Sequence, residues 1–143
     1  SRITADSLVQ LGRLKEAKTV IDEYSNSYPK DEGGNVTSVK AILLVKEGKQ
    51  KEAEATIQRA IEIGKGFGHF HHTAYNIASA YALMKRPYEA VSWLQNAADD
   101  GFPCYPYFEI DHNLDNLRQD PSFITFMSKL KERWLKYKSE YSH

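Results

Sequence analysis

Three histidines stand close together at positions 69, 71 and 72 and form the densest group of metal-ligating side chains in the chain. Short His-rich tracts can bind metal, and a zinc or nickel site here would use His69 and His72. Strong zinc sites bring four spaced ligands, whereas no Cys-x-x-Cys or His-Glu-x-x-His motif accompanies this stretch. The pattern therefore favours a loop and helix start with structural histidines, and we predict no metal and no cofactor.

Three further groups contain residue types that catalysis uses, but none has the spacing that catalysis needs. The Gly-rich residues 64–68 follow a helical pattern, whereas a phosphate-binding loop follows a strand and ends in Gly-Lys-Ser/Thr. A catalytic thiol at Cys104 would need a base and an electropositive setting, and only His112 is near in sequence. The acidic pairs near residues 99–100 and 109–111 have no fixed separation. We therefore predict that the protein is not an enzyme.

The composition bounds the class of protein and its partners. The chain has 143 residues, enough for one domain with a core, and 19 basic residues balance 19 acidic ones. This balance argues against a strongly basic nucleic-acid binder, and the longest apolar run, residues 41–45, is far too short to span a membrane. The single cysteine cannot form an internal disulfide, which favours a reducing, cytoplasmic location. We predict neither nucleic acid nor membrane as a partner.

Three similar stretches place these residues on paired helices. Each ends in a Glu-Ala step, and the alanines Ala17, Ala53 and Ala90 are 36 and 37 residues apart. Apolar residues at helical spacing precede and follow each stretch, and no alternating pattern typical of a strand occurs. The Glu favours the start of a second helix, and the small Ala allows two helix backbones to approach. The pattern predicts an all-α protein built from helical hairpins. The stretches are residues 12–17, 48–53 and 85–90.

This pattern resembles the tetratricopeptide repeat, a helix–turn–helix unit of about 34 residues. The likeness covers roughly residues 1–100, and the chain departs from the family pattern where Lys85 replaces the turn glycine. It implies a right-handed α-α superhelix, a solenoid with a truncated first hairpin at about 1–30, a second at 35–65 and a third at 70–100. The small and larger family residues of the first helices correspond to Ala5 and Leu8, Ala41 and Leu44, and Ala78 and Tyr81.

Residues 101–143 do not form another repeat. A Pro/Gly break at 101–106 precedes two expected short helices, and Asp120 and Pro121 have the residue types of an N-cap and a first turn. The long helix that follows should act as a C-terminal cap over the last hairpin. This tail is similar to segments that close repeat arrays in multidomain bacterial proteins, which implies a bacterial parent. The apolar stripe of the helix comprises Phe123, Met127, Leu130, Trp134, Tyr137 and Tyr141.

Stacked hairpins of this kind curve, and their first helices line a concave groove that suits a peptide or a partner helix. We therefore predict a non-catalytic protein- or peptide-binding module that serves as a scaffold or sensor in a larger bacterial protein. A carboxylate clamp, as some family members have, is disfavoured because Asp6 and Val39 stand where the clamp would need Asn. Helical spacing and the resemblance together name the groove residues as Ser38, Ile42, Lys46, His72, Tyr75, Asn76 and Ser79.

Two alternatives remain open from the sequence. In the first, the truncated first repeat or the terminal helix pairs between copies, so that the chain is a homo-oligomerisation module and forms a homodimer. In the second, His69 and His72 form the centre of a metal-binding protein. A concentration series by light scattering separates the first alternative from partner binding, and elemental analysis tests the second.

Overall fold

The computed structural model of the protein describes residues 31–66 and 70–141, together with the isolated positions 16 and 19. All regular structure in this part of the chain is helical, which confirms the all-α prediction there. The rest of the predicted first hairpin and His69 lie outside the described residues. The α-helices are α1 (Asn35–Lys46), α2 (Gln50–Gly64), α3 (His71–Leu83), α4 (Pro87–Asp99), α5 (Tyr105–Ile110) and α6 (Pro121–Tyr141), with 3-10 helices at Glu32–Gly34 and His112–Leu117.

Helices α1 and α2 form one hairpin, and α3 and α4 form a second with the same turn. Each first helix ends before a residue in the left-handed conformation, Gly48 with φ 80° and Lys85 with φ 59°. The next amide donates to the carbonyl five residues back, at 2.8 Å in the first hairpin and 3.0 Å in the second. This pair of turns is the Schellman arrangement that glycine favours. Lys85 thus adopts a glycine-like backbone at the position where the repeat pattern lacks its glycine.

Small residues lie where the two helices of each hairpin meet. Ala53 and Ala90 occupy the first turns of α2 and α4 and are fully buried. Ala41 and Ala78, on the first helices of the two hairpins, are fully buried as well. Because an alanine side chain is a single methyl group, helix axes can approach closely at these positions. The repeated alanines are therefore packing residues of the hairpin cores.

The two hairpins stack through their first helices, α1 and α3. The Thr73 hydroxyl donates to the carbonyl of Gly33 at 2.6 Å, and the Asn76 amide donates to the Ser38 hydroxyl at 3.1 Å. The partners advance in the same direction along both segments, so α1 and α3 run parallel. Helix α3 also contacts α2, which joins the hairpins into one apolar core.

The C-terminal part packs against the second hairpin. The 3-10 helix His112–Leu117 lies on α3, whereas α6 lies on α4 and α5. Asp120 begins α6 as predicted, because its carboxylate accepts the amide hydrogens of Ser122 at 3.0 Å and Phe123 at 3.2 Å. The predicted apolar stripe of α6 becomes less covered along the helix, and the side chain of its last member, Tyr141, lies outside what the structure describes. Phe123 and Leu130 are buried, Met127 and Trp134 are half-buried, and Tyr137 is 58% exposed.

Candidate binding surface

The seven residues predicted to line a groove do not share one exposed surface. Only His72 is largely open to solvent, and Lys46 is half-buried. The other five are packed, and two of the polar ones satisfy each other, since Asn76 donates to Ser38. The hydroxyl of Ser79 donates to the carbonyl of Tyr75 one turn earlier, at 3.1 Å. The buried members of the set are Ser38, Ile42, Tyr75, Asn76 and Ser79.

A segment of the chain itself, residues 105–118, covers the face of α3 that the sequence assigned to a partner. The Tyr75 hydroxyl donates to the carboxylate of Asp111, at the start of the second 3-10 helix. The other oxygen of that carboxylate accepts the amide hydrogen of Asn113 at 3.0 Å. The Arg118 guanidinium donates to the carbonyl of Asp111 at 2.9 Å. Tyr75, one of the predicted groove residues of α3, is therefore an interior contact in this structure, whereas His72 stays exposed.

The electrostatics of this contact follow from its burial. Burial raises the pKa of Tyr75 well above its ordinary value, and the negative charge of Asp111 raises it further. Burial also lowers the pKa of Lys46, while its attraction to Asp111 works in the opposite direction. The tyrosine is therefore a neutral hydrogen-bond donor at physiological pH.

Apolar packing makes the covering segment an integral part of the fold. Phe108, Leu114 and Leu117 are fully buried, and each such side chain contributes about 1.5–3 kcal/mol relative to an exposed one. The Asn116 amide adds a hydrogen bond of 3.1 Å to the carbonyl of Ala82 on α3. A peptide would have to replace all of these contacts to reach the face of α3. A partner surface is therefore better sought elsewhere on the molecule.

An open cavity of about 790 Å³ lies between residues 101–104 and the last turns of α6, and we call it the C-terminal cleft. One wall is apolar and includes Phe102 and Pro103, and the facing helix contributes Trp134 and Tyr137. The Trp134 and Tyr137 rings stack with centroids 6.3 Å apart and planes inclined by 25°. The remaining lining residues are Gly101, Cys104, Arg133, Lys136 and Glu140.

The cleft exists because α6 is longer than the helix on which it packs. At about 1.5 Å per residue, the 21 residues of α6 span about 31 Å, whereas the 13 residues of α4 span about 20 Å. The last turns of α6 therefore extend beyond α4 and leave Trp134 and Tyr137 incompletely covered. The sequence treated these residues as part of the packed stripe. The apolar stripe of α6 is longer than α4, and this difference in length is the sequence feature that indicates that Trp134 and Tyr137 lie beyond the packed part.

The charged residues that line the cleft are Arg133, Lys136 and Glu140, and the carboxylates of Asp99 and Asp100 lie beside it. Residues 129–140 contain five basic and two acidic side chains, which leaves a formal net charge of +3 in a chain of net charge zero. Arg133 lies 3.3 Å from Asp99, but both side chains are half-exposed, so the pair is weak. Lys136 has no ion pair within 4.0 Å among the described residues. Glu140 is the one acidic residue of the lining and lies toward the helix end.

The histidines and the cysteine are not arranged as a metal site in the described residues. The rings of His71 and His72 lie 4.4 Å apart, and Nδ1 of His71 is 3.8 Å from a carboxylate oxygen of Asp100. No three His, Cys, Asp or Glu side chains converge on a common point within residues 31–66 and 70–140. Cys104 lines the C-terminal cleft, whereas His112 is exposed and pairs with Asp115, so the two are not brought together as nucleophile and base.

Comparisons with known proteins add no relative. No model of a known family matches the chain, and neither the curated proteins nor the solved structures contain a significant match. Among the helices described here, none combines the length and the apolar content that a membrane crossing requires.

Proposed function

We propose that the protein is a non-catalytic protein- or peptide-binding module of the tetratricopeptide type, part of a scaffold or sensor in a larger cytoplasmic bacterial protein. The repeated features of the two described hairpins support the repeat assignment: the same left-handed turn, the same buried alanines and parallel first helices. In this proposal the hairpins stack into a right-handed solenoid, and α6 caps its end. The resemblance of the sequence to the family supplies the expectation of binding rather than catalysis.

The observation that carries the proposal is that the C-terminal cleft is open, whereas residues 105–118 cover the face of α3 at Tyr75. Protein interfaces have an apolar centre with a polar rim, and the residues that dominate their energy are often Trp, Tyr and Arg. The C-terminal cleft offers Trp134, Tyr137 and Arg133 on one helix, opposite Phe102. We therefore assign partner binding to this cleft. Of the seven predicted groove residues, only Lys46 and His72 are accessible to a partner. Lys46 lies at the end of α1 and His72 at the start of α3, so they are at opposite ends of these parallel helices.

An unbiased peptide-display selection against the chain tests this assignment. We expect selected peptides to compete with one another for one site, and we expect Trp134→Ala to abolish their binding. The matched control is Leu135→Ala, because this neighbour is on the same helix but does not line the cleft. Lys46→Ala and His72→Ala should leave binding unchanged. A folded chain that selects no peptide, or peptides whose binding survives Trp134→Ala, would contradict the proposal.

One observation favours the alternative of homo-oligomerisation. Ile124 and Leu135 are 53% and 54% exposed and lie eleven residues apart on α6, which places them on one side of the helix. Two copies of this helix would repel each other because each carries the same positive charge. Light scattering over a concentration series separates the two cases. A stable dimer that Leu135→Glu dissociates would support oligomerisation, and a monomer at all concentrations would support partner binding.

A further inference from the structure

We propose that the C-terminal cleft binds an acidic peptide segment that inserts one large apolar side chain between the aromatic walls. This inference rests on the binding function proposed above and specifies the chemistry of the partner. The cleft volume of about 790 Å³ falls within the range of about 300–1,000 Å³ that is usual for ligand pockets. One bulky side chain and its flanking backbone are therefore an appropriate occupant.

The aromatic walls of the cleft favour a large apolar side chain of the bound peptide, which we call the anchor. Phe102 is held in place by its ring contacts with Tyr75 and Phe108, at centroid distances of 5.4 Å to each. The facing wall, Trp134 and Tyr137, lies on a helix that Leu130 anchors in the core one turn earlier. Phe102 is thus held in place before a ligand enters, which lowers the ordering cost of binding. Inserting an apolar side chain between the two walls removes exposed aromatic surface from water.

The basic side chains of Arg133 and Lys136 at the rim favour acidic residues of the peptide on their side of the anchor. Arg133 and Lys136 lie about one turn apart on α6, so two carboxylates of a bound segment can face them, and the one at Arg133 competes with Asp99, which lies 3.3 Å from the guanidinium. Glu140 lies about 10 Å from Arg133 along the helix, at about 1.5 Å per residue. A carboxylate at that end would be repelled. The favoured segment is therefore acidic on the side of Arg133 and neutral or basic on the side of Glu140.

The same charges disfavour two other occupants. A second copy of α6 would bring its own net charge of +3 to a surface of the same sign. A nucleic acid carries uniform negative charge, which would meet not only Lys136 but also Glu140 and the exposed carboxylates of Asp99 and Asp100. A segment that is acidic beside Arg133 and Lys136 and neutral or basic beside Glu140 matches both the positive and the negative part of the rim.

The single cysteine provides a direct probe of the occupied cleft. Three short peptides share one backbone: one with two Glu residues before a central Trp, one with Lys in place of Glu, and one with Ala in place of Trp. We measure their binding by fluorescence anisotropy and the rate at which a neutral thiol reagent modifies Cys104. We expect the acidic peptide to bind and to slow the modification of Cys104. The basic and anchorless peptides should bind at least about tenfold more weakly.

Charge reversal at the rim gives the matched pair of variants. Lys136→Glu should weaken binding of the acidic peptide by about tenfold and strengthen binding of the basic one, since attraction becomes repulsion. Lys131→Glu makes the same change in charge on the same helix, outside the cleft, and should have a much smaller effect. Both side chains are exposed, and circular dichroism confirms that each variant keeps its helical content.

The outcomes distinguish this inference from the broader proposal. Equal binding of the acidic and basic peptides would overturn the acidic preference, as would equal effects of Lys136→Glu and Lys131→Glu. Protection of Cys104 by a short single-stranded oligonucleotide as strong as that by the acidic peptide would favour a general polyanion site instead. If peptides from the display selection occupy the cleft but are not acidic, the inference fails while the binding function stands.

Discussion

The Tyr75 hydroxyl donates a hydrogen bond to the Asp111 carboxylate and so joins the second hairpin to the C-terminal segment. Both side chains are buried, and the residues lie 36 positions apart in the chain. A buried carboxylate is costly unless its oxygens accept hydrogen bonds, and here each oxygen has a donor. This contact buries the Tyr75 side chain between the second hairpin and the C-terminal segment.

Removing the Tyr75 hydroxyl should destabilise the protein. Tyr75→Phe leaves one oxygen of the buried Asp111 carboxylate without its donor, and a hydrogen bond to a charged group contributes about 1.5–3 kcal/mol. We expect the free energy of unfolding, measured with urea, to fall by about that amount. Tyr105→Phe is the matched control because its hydroxyl donates to Glu109 at the surface. Equal losses in the two variants would contradict the interior role of the Tyr75 contact.

The same tyrosine should make stability fall at alkaline pH. The pKa of Tyr75 is raised in the folded protein, chiefly by burial and then by Asp111, above its ordinary value of 10.0. Above pH 10 the unfolded chain loses this proton while the folded chain keeps it, so stability decreases as pH rises from there toward the folded pKa. Tyr75→Phe should show a shallower decline between pH 9 and pH 11. Parallel urea midpoints over this range would refute the buried, protonated state.

The alanines at the hairpin contacts should not tolerate larger side chains. Ala53→Leu and Ala90→Leu add volume at fully buried positions, and overpacking of this kind typically costs about 1–3 kcal/mol. Ala55→Leu makes the same change on the exposed side of α2 and should alter stability by less than about 0.5 kcal/mol. Thermal unfolding of the three variants checks the expectation. Similar losses for Ala53 and Ala90 would support the structural equivalence of the hairpins, and tolerance of both changes would contradict it.

The two hairpin turns should respond in opposite directions to exchange of their left-handed residue. Lys85→Gly removes a side chain that disfavours positive φ and should stabilise the protein by about 1 kcal/mol. Gly48→Ala introduces such a side chain and should destabilise by a similar amount, because a Cβ there meets no atom within 4 Å and only the backbone strain counts. Urea unfolding measures both changes. A loss of stability in Lys85→Gly would show that the lysine side chain itself is required.

Sequence patterns predict the fold best where the helical spacing of apolar residues determines both helix formation and packing. The stretches around Ala53 and Ala90 predict paired helices, and the structure buries both alanines in matching first turns. Asp120 predicts the start of α6 because N-capping depends only on residues within one helical turn. Such local rules need no knowledge of the rest of the fold.

The location of the candidate site depends on tertiary contacts, which the local spacing of residues does not show. Residues 105–118 have no helical repeat, so nothing in their order indicates that Asp111 reaches Tyr75 across 36 positions. The groove prediction for Tyr75, Asn76 and Ser79 assumed that the concave side is open to solvent. Which face of a buried helix remains accessible depends on how the last segment folds back, and this is a tertiary property. The C-terminal cleft likewise follows from a difference in length between α6 and α4.

Hydrogen–deuterium exchange with a display-selected peptide tests most directly where a partner binds. We predict that the peptide slows exchange in residues 101–104 and 133–140, while residues 72–79 and 105–118 exchange at the same rate with and without it. Slower exchange in residues 38–46 and 72–79, accompanied by faster exchange in 105–118, would contradict the account. That result would mean that the partner displaces the covering segment and binds the face of α3.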